Sequence, residues 1–195
     1  MIMKINSLNN NLNFNAKFIN KSPVLKQDKN KEYKTCDANF VEFDLKNRKD
    51  MRKISEICSM DEFDVLGYDI IMDVALLDSF DKVTYSKKRC FALTQENENN
   101  FKNIDKNKVL GICTVYENKS EDKPDCIAYF MTNYDYRSKY SKGEPYAGVG
   151  TGLVNALKNN FPNKPYICYS VPDSVNFWRK QNFKNDGGAL MSYEV

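Results

Sequence analysis

Gly148-Val149-Gly150-Thr151-Gly152-Leu153 lies between a polar, extended stretch and a segment where Leu153, Ala156, Leu157 and Phe161 recur at helical spacing. Glycines allow positive φ and let the backbone approach a ligand closely. A helix starting here offers unpaired N–H groups and the positive end of its dipole, which suits phosphate oxygens. The plain alternative is a glycine-rich turn with no ligand. Two familiar phosphate loops fail on spacing. No GxxxxGK[ST] occurs, which excludes the P-loop nucleotidases. A dinucleotide GxGxxG would need its last glycine at 153, where Leu153 stands, and an early βαβ unit with more sheet after it. What remains is a loop for a phosphate-bearing cofactor, late in a mixed-sheet domain.

Working outward, Pro162 ends the helix after the loop, and residues 165–171 read as a strand. Asp173 is placed to cap a short helix holding Phe177 and Trp178, and residues 189–195 read as a final strand. Upstream, three runs rich in β-formers stand at 90–93, 109–116 and 127–132. Before them, Phe63, Leu66, Ile70, Val74 and Leu77 mark one helical face, and Met51, Ile54 and Cys58 another. Phe40-Val41-Glu42-Phe43-Asp44-Leu45 reads as the first strand. The order β-α-α-β-β-β-α-β-α-β predicts an α/β fold of the α+β-like kind, a mixed sheet with helices on both faces, because a strand–helix–strand unit needs a parallel crossover. Residues 1–37 hold seven lysines against three acidic residues and show neither period, so they read as a flexible basic extension. Phe14 and Phe18, four apart, give a weak signal for a helical turn within it.

Composition narrows the chemistry. An apolar fraction of 42% and an aromatic fraction of 13% supply a core for one domain of 195 residues. Seven lysines less three acidic residues give the extension +4, which leaves the rest of a chain of net charge +3 at −1, a nearly neutral body with no electrostatic footprint for nucleic acid. Six cysteines form no CxxC pair, and those at 90, 113, 126 and 168 sit in apolar runs, so they read as buried free thiols of a cytoplasmic protein. No apolar run reaches the roughly 18 residues of a membrane span, and the N-terminus has no secretory apolar region. Histidine is absent, which removes the usual base of serine and cysteine hydrolases and the commonest transition-metal ligand. No metal site is expected.

Three segments carry a family resemblance. The run 129–137, YFMTNYDYR, is similar to the fourth strand and following turn of the GNAT superfamily of acyl-CoA-dependent N-acyltransferases. Residues 148–157, GVGTGLVNAL, resemble its pyrophosphate loop and helix, and 171–183, VPDSVNFWRKQNF, the segment that usually ends FYxKxGF. The three matches are collinear. The resemblance implies a GNAT-type domain over 38–195 that transfers an acetyl group from acetyl-CoA to a primary amine, in a small molecule or a protein. It implies that backbone amides of Gly148, Val149, Gly150, Thr151 and Gly152 hold the CoA pyrophosphate. The strand with Phe130, Met131 and Thr132 would splay from the strand at 166–171 and admit the pantetheine. Main-chain groups of Phe130 and Thr132 would polarise the thioester carbonyl, and Asn176, Phe177 and Trp178 would line the thiol end.

The sequence also departs from that pattern. Pro145 stands where the family has Gln or Arg, and Ser138 to Ala147 separates Arg137 from Gly148. That insertion reads as a longer solvated loop, the alternative being a lid over the acceptor. Trp178 replaces the Tyr that protonates departing CoA, and reads as a packing residue. A thiol with a pKa of about 8.5 leaves tolerably as the thiolate near neutrality; Tyr169, Tyr136 and Tyr146 are substitute donors. Asn182 replaces Gly, a turn change that Asn tolerates. An acceptor amine, protonated at neutral pH, requires a base. Glu117, Asp125 and Asp135 are candidates, each of which has a plain reading as a surface carboxylate. A non-catalytic acyl-CoA-binding module on the same fold is the second reading, and an unrelated nucleotide binder the third.

Overall fold

The computed structural model describes residues 16–60, 66–75, 81–97, 101, 104–133 and 146–195. Its strands are β1 (Lys17–Gln27), β2 (Tyr33–Phe43), β3 (Tyr85–Thr94), β4 (Val109–Asn118), β5 (Asp125–Thr132), β6 (Tyr146–Ala147), β7 (Tyr166–Tyr169), β8 (Lys184–Gly187) and β9 (Leu190–Tyr193). The helices are α1 (Arg48–Cys58), α2 (Leu66–Ala75), α3 (Val149–Asn160) and α4 (Val175–Lys180). All described strands join one sheet in the order β6-β1-β2-β3-β4-β5-β7-β9-β8. Only β5 and β7 run parallel, joined through α3, which is the crossover expected from the sequence. The fold class is therefore as read: a mixed sheet flanked by helices.

Each face of the sheet has its own core. On one side α3 and α4 cover Phe40, Phe91, Leu93, Leu110, Cys113, Val115 and Ile127. On the other, Ile54, Ile57, Ile70 and Val74 of α1 and α2 pack on Val41, Phe43, Cys90, Ala92, Ile112 and Met131. β4 is covered on both faces, which is why Val109 to Val115 reads as a continuous apolar run. Gly67 sets the approach of the two helices. A Cβ there would stand 2.1 Å from the Cys58 carbonyl oxygen. All six cysteines are free, and all but Cys36 are buried.

The mobile extension expected over 1–37 does not hold for its second half. Lys17–Gln27 is a strand of the sheet, paired antiparallel to β2 through a turn in which Lys31 has φ 63° and Asp28 Oδ1 accepts from Asn30 N and Glu32 N. β2 begins at Tyr33, well before Phe40. Phe18 lies in β1, not in a helical turn, and stacks on Phe101 at 5.7 Å; Phe14 is outside the described residues, as are Phe63 and Leu77. Lysines and Pro23 made this stretch read as loop. They are also what a strand near the sheet edge tolerates, covered on its outer side only by the two-residue β6. The C-terminal strand is a hairpin, β8–β9, entered through Asn182 at φ 65°, the left-handed conformation for which the pattern has Gly.

β1 carries α3. Ser22 Oγ, buried, donates to the Gly152 carbonyl at 2.7 Å, and a Cβ on Gly152 would lie 2.8 Å from the Pro23 carbonyl oxygen and 3.0 Å from Val24 Cγ1. β6, just ahead of the glycine loop, pairs with Leu25 and Lys26 of β1. Gly152 is thus a packing glycine. Gly152→Ala is expected to cost about 1–3 kcal/mol through overpacking, read as a lowered midpoint in urea unfolding with the slope unchanged.

Candidate functional site

β5 and β7 pair only through Asp125–Tyr166, Cys126–Ile167 and Ile127–Cys168. Beyond that point they part. Across β5 the register with β4 slips, with Thr114 opposite Tyr129 and Val115 opposite Ile127, so Ala128 is the extra residue of a bulge. The bulge bends β5 and shifts its alternation, which puts Phe130 and Thr132 on the α3 face with Ile127, while Tyr129 and Met131 face α1 and α2. Tyr169 continues β7 but pairs with Leu190 of β9. Asn133 N donates to the Leu110 carbonyl, and ladder alternation then turns the main-chain groups of Thr132 and Phe130 towards the gap. Among the described residues no strand fills it.

The glycine loop meets this opening. Gly148 is the N-cap of α3 at φ 67°, a conformation that favours glycine, and no side chain caps the helix. The first intrahelical bond is Gly152 N to the Gly148 carbonyl, so the N–H groups of Val149, Gly150 and Thr151 precede the ladder. A Cβ on Gly150 would stand 3.0 Å from Phe177 Cε2 and 3.6 Å from Thr132 Cγ2. Three segments far apart in sequence therefore touch at one place: the glycine loop, the end of β5 and α4. Val149 is buried in the core and contributes only backbone, whereas Thr151 is exposed.

α4 separates its residues by depth. Asn176 is exposed, Phe177 half-buried, and Trp178 is 5% exposed. Trp178 packs edge-on against Phe130 at 5.0 Å and against Phe183 at 4.9 Å, so it is a core residue and not part of an open lining. Phe177 and Phe130, 5.7 Å apart, form the apolar floor on this side of the gap. Asp173 sits inside a 3-10 turn, Pro172–Ser174, and the N-cap of α4, Ser174, makes no side-chain capping bond. Met131 is buried against α1 and α2 and offers no side chain to the gap.

The carboxylates read as bases lie elsewhere. Glu117 is six residues along β4 from Gly111, the partner of Thr132, or roughly 20 Å. It faces Arg89, 3.9 Å away. Asp125 stands at the closed end of the β5–β7 pair. Its Oδ1 accepts from Asn118 N at 2.8 Å and lies 3.8 Å from Lys164 Nζ, so it clamps the β4–β5 turn. Burial pushes its carboxyl above the usual range, against the Asn118 bond and Lys164. Tyr169 is 72% exposed beside the opening, and Tyr146 lies in β6 with Lys26 over its ring. Asp135, Tyr136, Arg137 and Pro145 are outside the described residues.

The sequence reading missed a polar cluster on the α2 face. Lys88 Nζ donates to Asp73 Oδ1 at 2.8 Å and to the Asp73 carbonyl, and the Tyr116 hydroxyl donates to the same Oδ1. Lys88 lies in the β3 run and Asp73 among apolar helix positions, so each reads as a surface charge. A signal was present in the inward parity of Lys88 with Cys90 and Ala92.

No protein-family model and no curated protein matches the sequence. Among solved structures, the chain is similar to an acetyltransferase from Thermus thermophilus, with a TM-score of 0.46, 15% identity, and coverage of 74% of this chain and 89% of that one. Among the described residues no group of histidine, cysteine, aspartate or glutamate side chains could hold a metal, and no helix is long and apolar enough to cross a membrane.

The raised carboxyl of Asp125 gives a pH test. A group whose folded pKa lies above its unfolded value contributes stability at low pH that is lost as pH rises through the folded pKa. At pH 7 the buried charge therefore counts against the fold. Asp125→Asn keeps an oxygen for Asn118 N; its melting temperature at pH 7 should equal or exceed that of the wild type, with the difference shrinking as pH falls towards about 4.

Proposed function

We propose that this chain is a GNAT-type N-acetyltransferase that moves an acetyl group from acetyl-CoA to a primary amine by direct attack on the thioester. The observation that carries the reading is the parting of β5 from β7 after Ile127 and Cys168, at a bulge, beside the uncapped start of α3. A slot of that kind suits a long, thin cofactor arm with amides along it. In this reading the N–H groups of Val149, Gly150 and Thr151 hold the pyrophosphate at the positive end of α3. The pantetheine amides complete the unpaired edge of β5 as an added strand would. A main-chain N–H at Phe130 or Thr132 polarises the thioester carbonyl and meets the charge that develops on its oxygen. Phe130 and Phe177 give the arm an apolar floor, and Asn176 lies at its solvent side. Gly148 and Gly152 serve the loop by conformation and by packing.

Chemistry at this slot needs no metal. The amine nitrogen attacks the carbonyl carbon, the C–S bond breaks, and CoA leaves as a thiolate that takes a proton from the nitrogen or from solvent. With Trp178 buried at the place where the family has Tyr, departure without a dedicated acid is the reading that fits this sequence. The domain assignment widens accordingly: we take the acyltransferase unit to begin at β1, since the glycine loop rests on it. Expected surroundings are cytoplasmic, where acetyl-CoA and reduced thiols coexist. Burial of Trp178 also favours a second reading, a non-catalytic acyl-CoA-binding module.

Calorimetry with acetyl-CoA separates these readings. Gly150 is a poor place for a charge because any side chain meets Phe177, whereas Thr151 is exposed in the first turn. Thr151 Oγ1 accepts from Gln181 Nε2 at 3.1 Å, a bond that a Glu carboxylate can also accept. Thr151→Glu should weaken acetyl-CoA binding by at least roughly tenfold, about 1.4 kcal/mol, with the melting temperature measured alongside to show that the variant is folded. A folded wild type that binds no acetyl-CoA would sink both readings. Binding with no turnover of any primary amine would favour the second.

A further inference from the structure

Asp73, on α2, is buried, and its two carboxylate oxygens are treated very differently. Oδ1 accepts from both Lys88 Nζ and the Tyr116 hydroxyl, whereas Oδ2 has no hydrogen-bond partner among the described residues. Thr114 Oγ1, also buried, has none either. The Lys88 side chain is 1% exposed. A buried ion pair contributes little net stability, and one with an idle oxygen contributes less still. Only Tyr116 of the three reaches the surface, being half-buried.

Register places this cluster beside the bulge. Lys88, Tyr116 and Cys126 form one row across β3, β4 and β5 on the α2 face, and Cys90, Thr114 and Tyr129 form the next. Ala128 lies between the two rows on β5. The opposite face of the sheet at this point is closed by Phe130, Phe177 and Trp178. Tyr116 is three residues along β4 from Cys113, the partner of Phe130, or roughly 10 Å. With the α3 face closed by those rings, the α2 face is, among the described residues, the side from which an amine would reach a thioester polarised at Phe130. We propose that Tyr116, backed by Asp73 and Lys88, is the group that takes the proton from the acceptor amine.

The ammonium gives a proton to the Tyr116 oxygen as Tyr116 passes its own to Asp73 Oδ1, and Asp73 later releases it to water. The freed nitrogen lone pair forms the C–N bond, the C–S bond breaks, and the second nitrogen proton ends on the CoA sulfur. Ammonium and thioester become amide, thiol and one free proton. Lys88 holds the carboxylate in place. Burial, and then the bond to Asp73, push the Tyr116 hydroxyl well above the ordinary phenol range, so it remains a donor to Asp73 at rest.

Other titratable groups face the same spot. Tyr85 of β3 meets the Tyr116 ring at 5.5 Å and donates to Cys126 of β5, while Tyr129 of β5 and Asp69 of α2 stand on the other side. Cys90 and, from α1, Cys58 lie deeper, with thiols pushed up by burial. Tyr169 of β7 approaches from the open side. The Tyr116 hydroxyl itself is hydrogen-bonded to the Asp73 carboxylate.

The inference rests on the acyltransferase reading, and the test keeps the two apart. Acetyl-CoA binding is measured first on the full chain. Thiol release is then followed with 2-phenylethylamine, spermidine and a lysine-bearing peptide from about pH 6.5 to about 9.5, for wild type, Tyr116→Phe and Asp73→Asn. Tyr116→Phe should lower kcat by about a hundredfold near pH 7 with acetyl-CoA affinity unchanged, at a lowered melting temperature because the buried Asp73 carboxylate loses a donor. The kcat deficit should close as the amine loses its proton to solvent at high pH. Asp73→Asn should show the same closing deficit, and either variant carries the test if the other does not fold. A deficit that stays constant with pH, or none, overturns the proposal. So does a wild type that binds acetyl-CoA and acetylates none of the three amines. Failure to bind acetyl-CoA would instead overturn the acyltransferase reading itself.

Discussion

The parting of β5 from β7 is the constraint on which the rest of the molecule turns. Pairing in register to Ile127 and Cys168 and then stopping leaves a row of main-chain donors and acceptors without strand partners among the described residues, a state that costs free energy unless water or a ligand satisfies it. Ala128 enforces the divergence. One extra residue bends β5 and exchanges which side chains face which helix layer, so Phe130 and Thr132 turn to α3 and α4 while Tyr129 turns to α2. The opening thus has two unlike sides. One is apolar and aromatic, beside a helix start; the other carries phenols and a buried ion pair.

Glycine does different work at each position of the loop. Gly148 supplies the left-handed turn, Gly150 lets Phe177 and Thr132 close on the helix, and Gly152 lets α3 sit on the β1 backbone. Only the first is the reason suggested by sequence alone. The loop is held less by its own residues than by a strand more than a hundred positions earlier, through Ser22 and the β1–β6 pairing. A deletion that trimmed the basic N-terminal stretch through β1 would therefore disturb the site, although no site residue lies there.

Much of the fold was legible because its central elements obey simple periods. β4 is a continuous apolar run, α3 has its inward face at helical spacing, and the β5–α3–β7 crossover follows from order alone. β1 was not legible, since the features of a strand near a sheet edge, lysines and a proline, are also those of a loop. The bulge was equally hidden. Nothing in Cys126-Ile127-Ala128-Tyr129 announces that one residue will go unpaired, and without it the parity of the strand, and so the split of site residues between faces, comes out wrong. Glu117 and Asp125 looked like bases because they flank the right strands. Their side chains belong to the α3 face, engaged by Arg89 and Lys164, and not to the α2 face that Tyr116 and Asp73 share. Asp73 and Lys88 escaped notice because their significance arises from meeting each other under a helix.

Amide hydrogen exchange with and without acetyl-CoA tests the central claim most directly, because it reads the unpaired backbone itself. The account predicts slowed exchange at Phe130, Thr132 and the first turn of α3, Val149 to Thr151, with no change at the closed end around Asp125 and Tyr166. Unchanged exchange along β5 and the loop, under conditions where acetyl-CoA binds, would contradict it and place the cofactor elsewhere on the molecule.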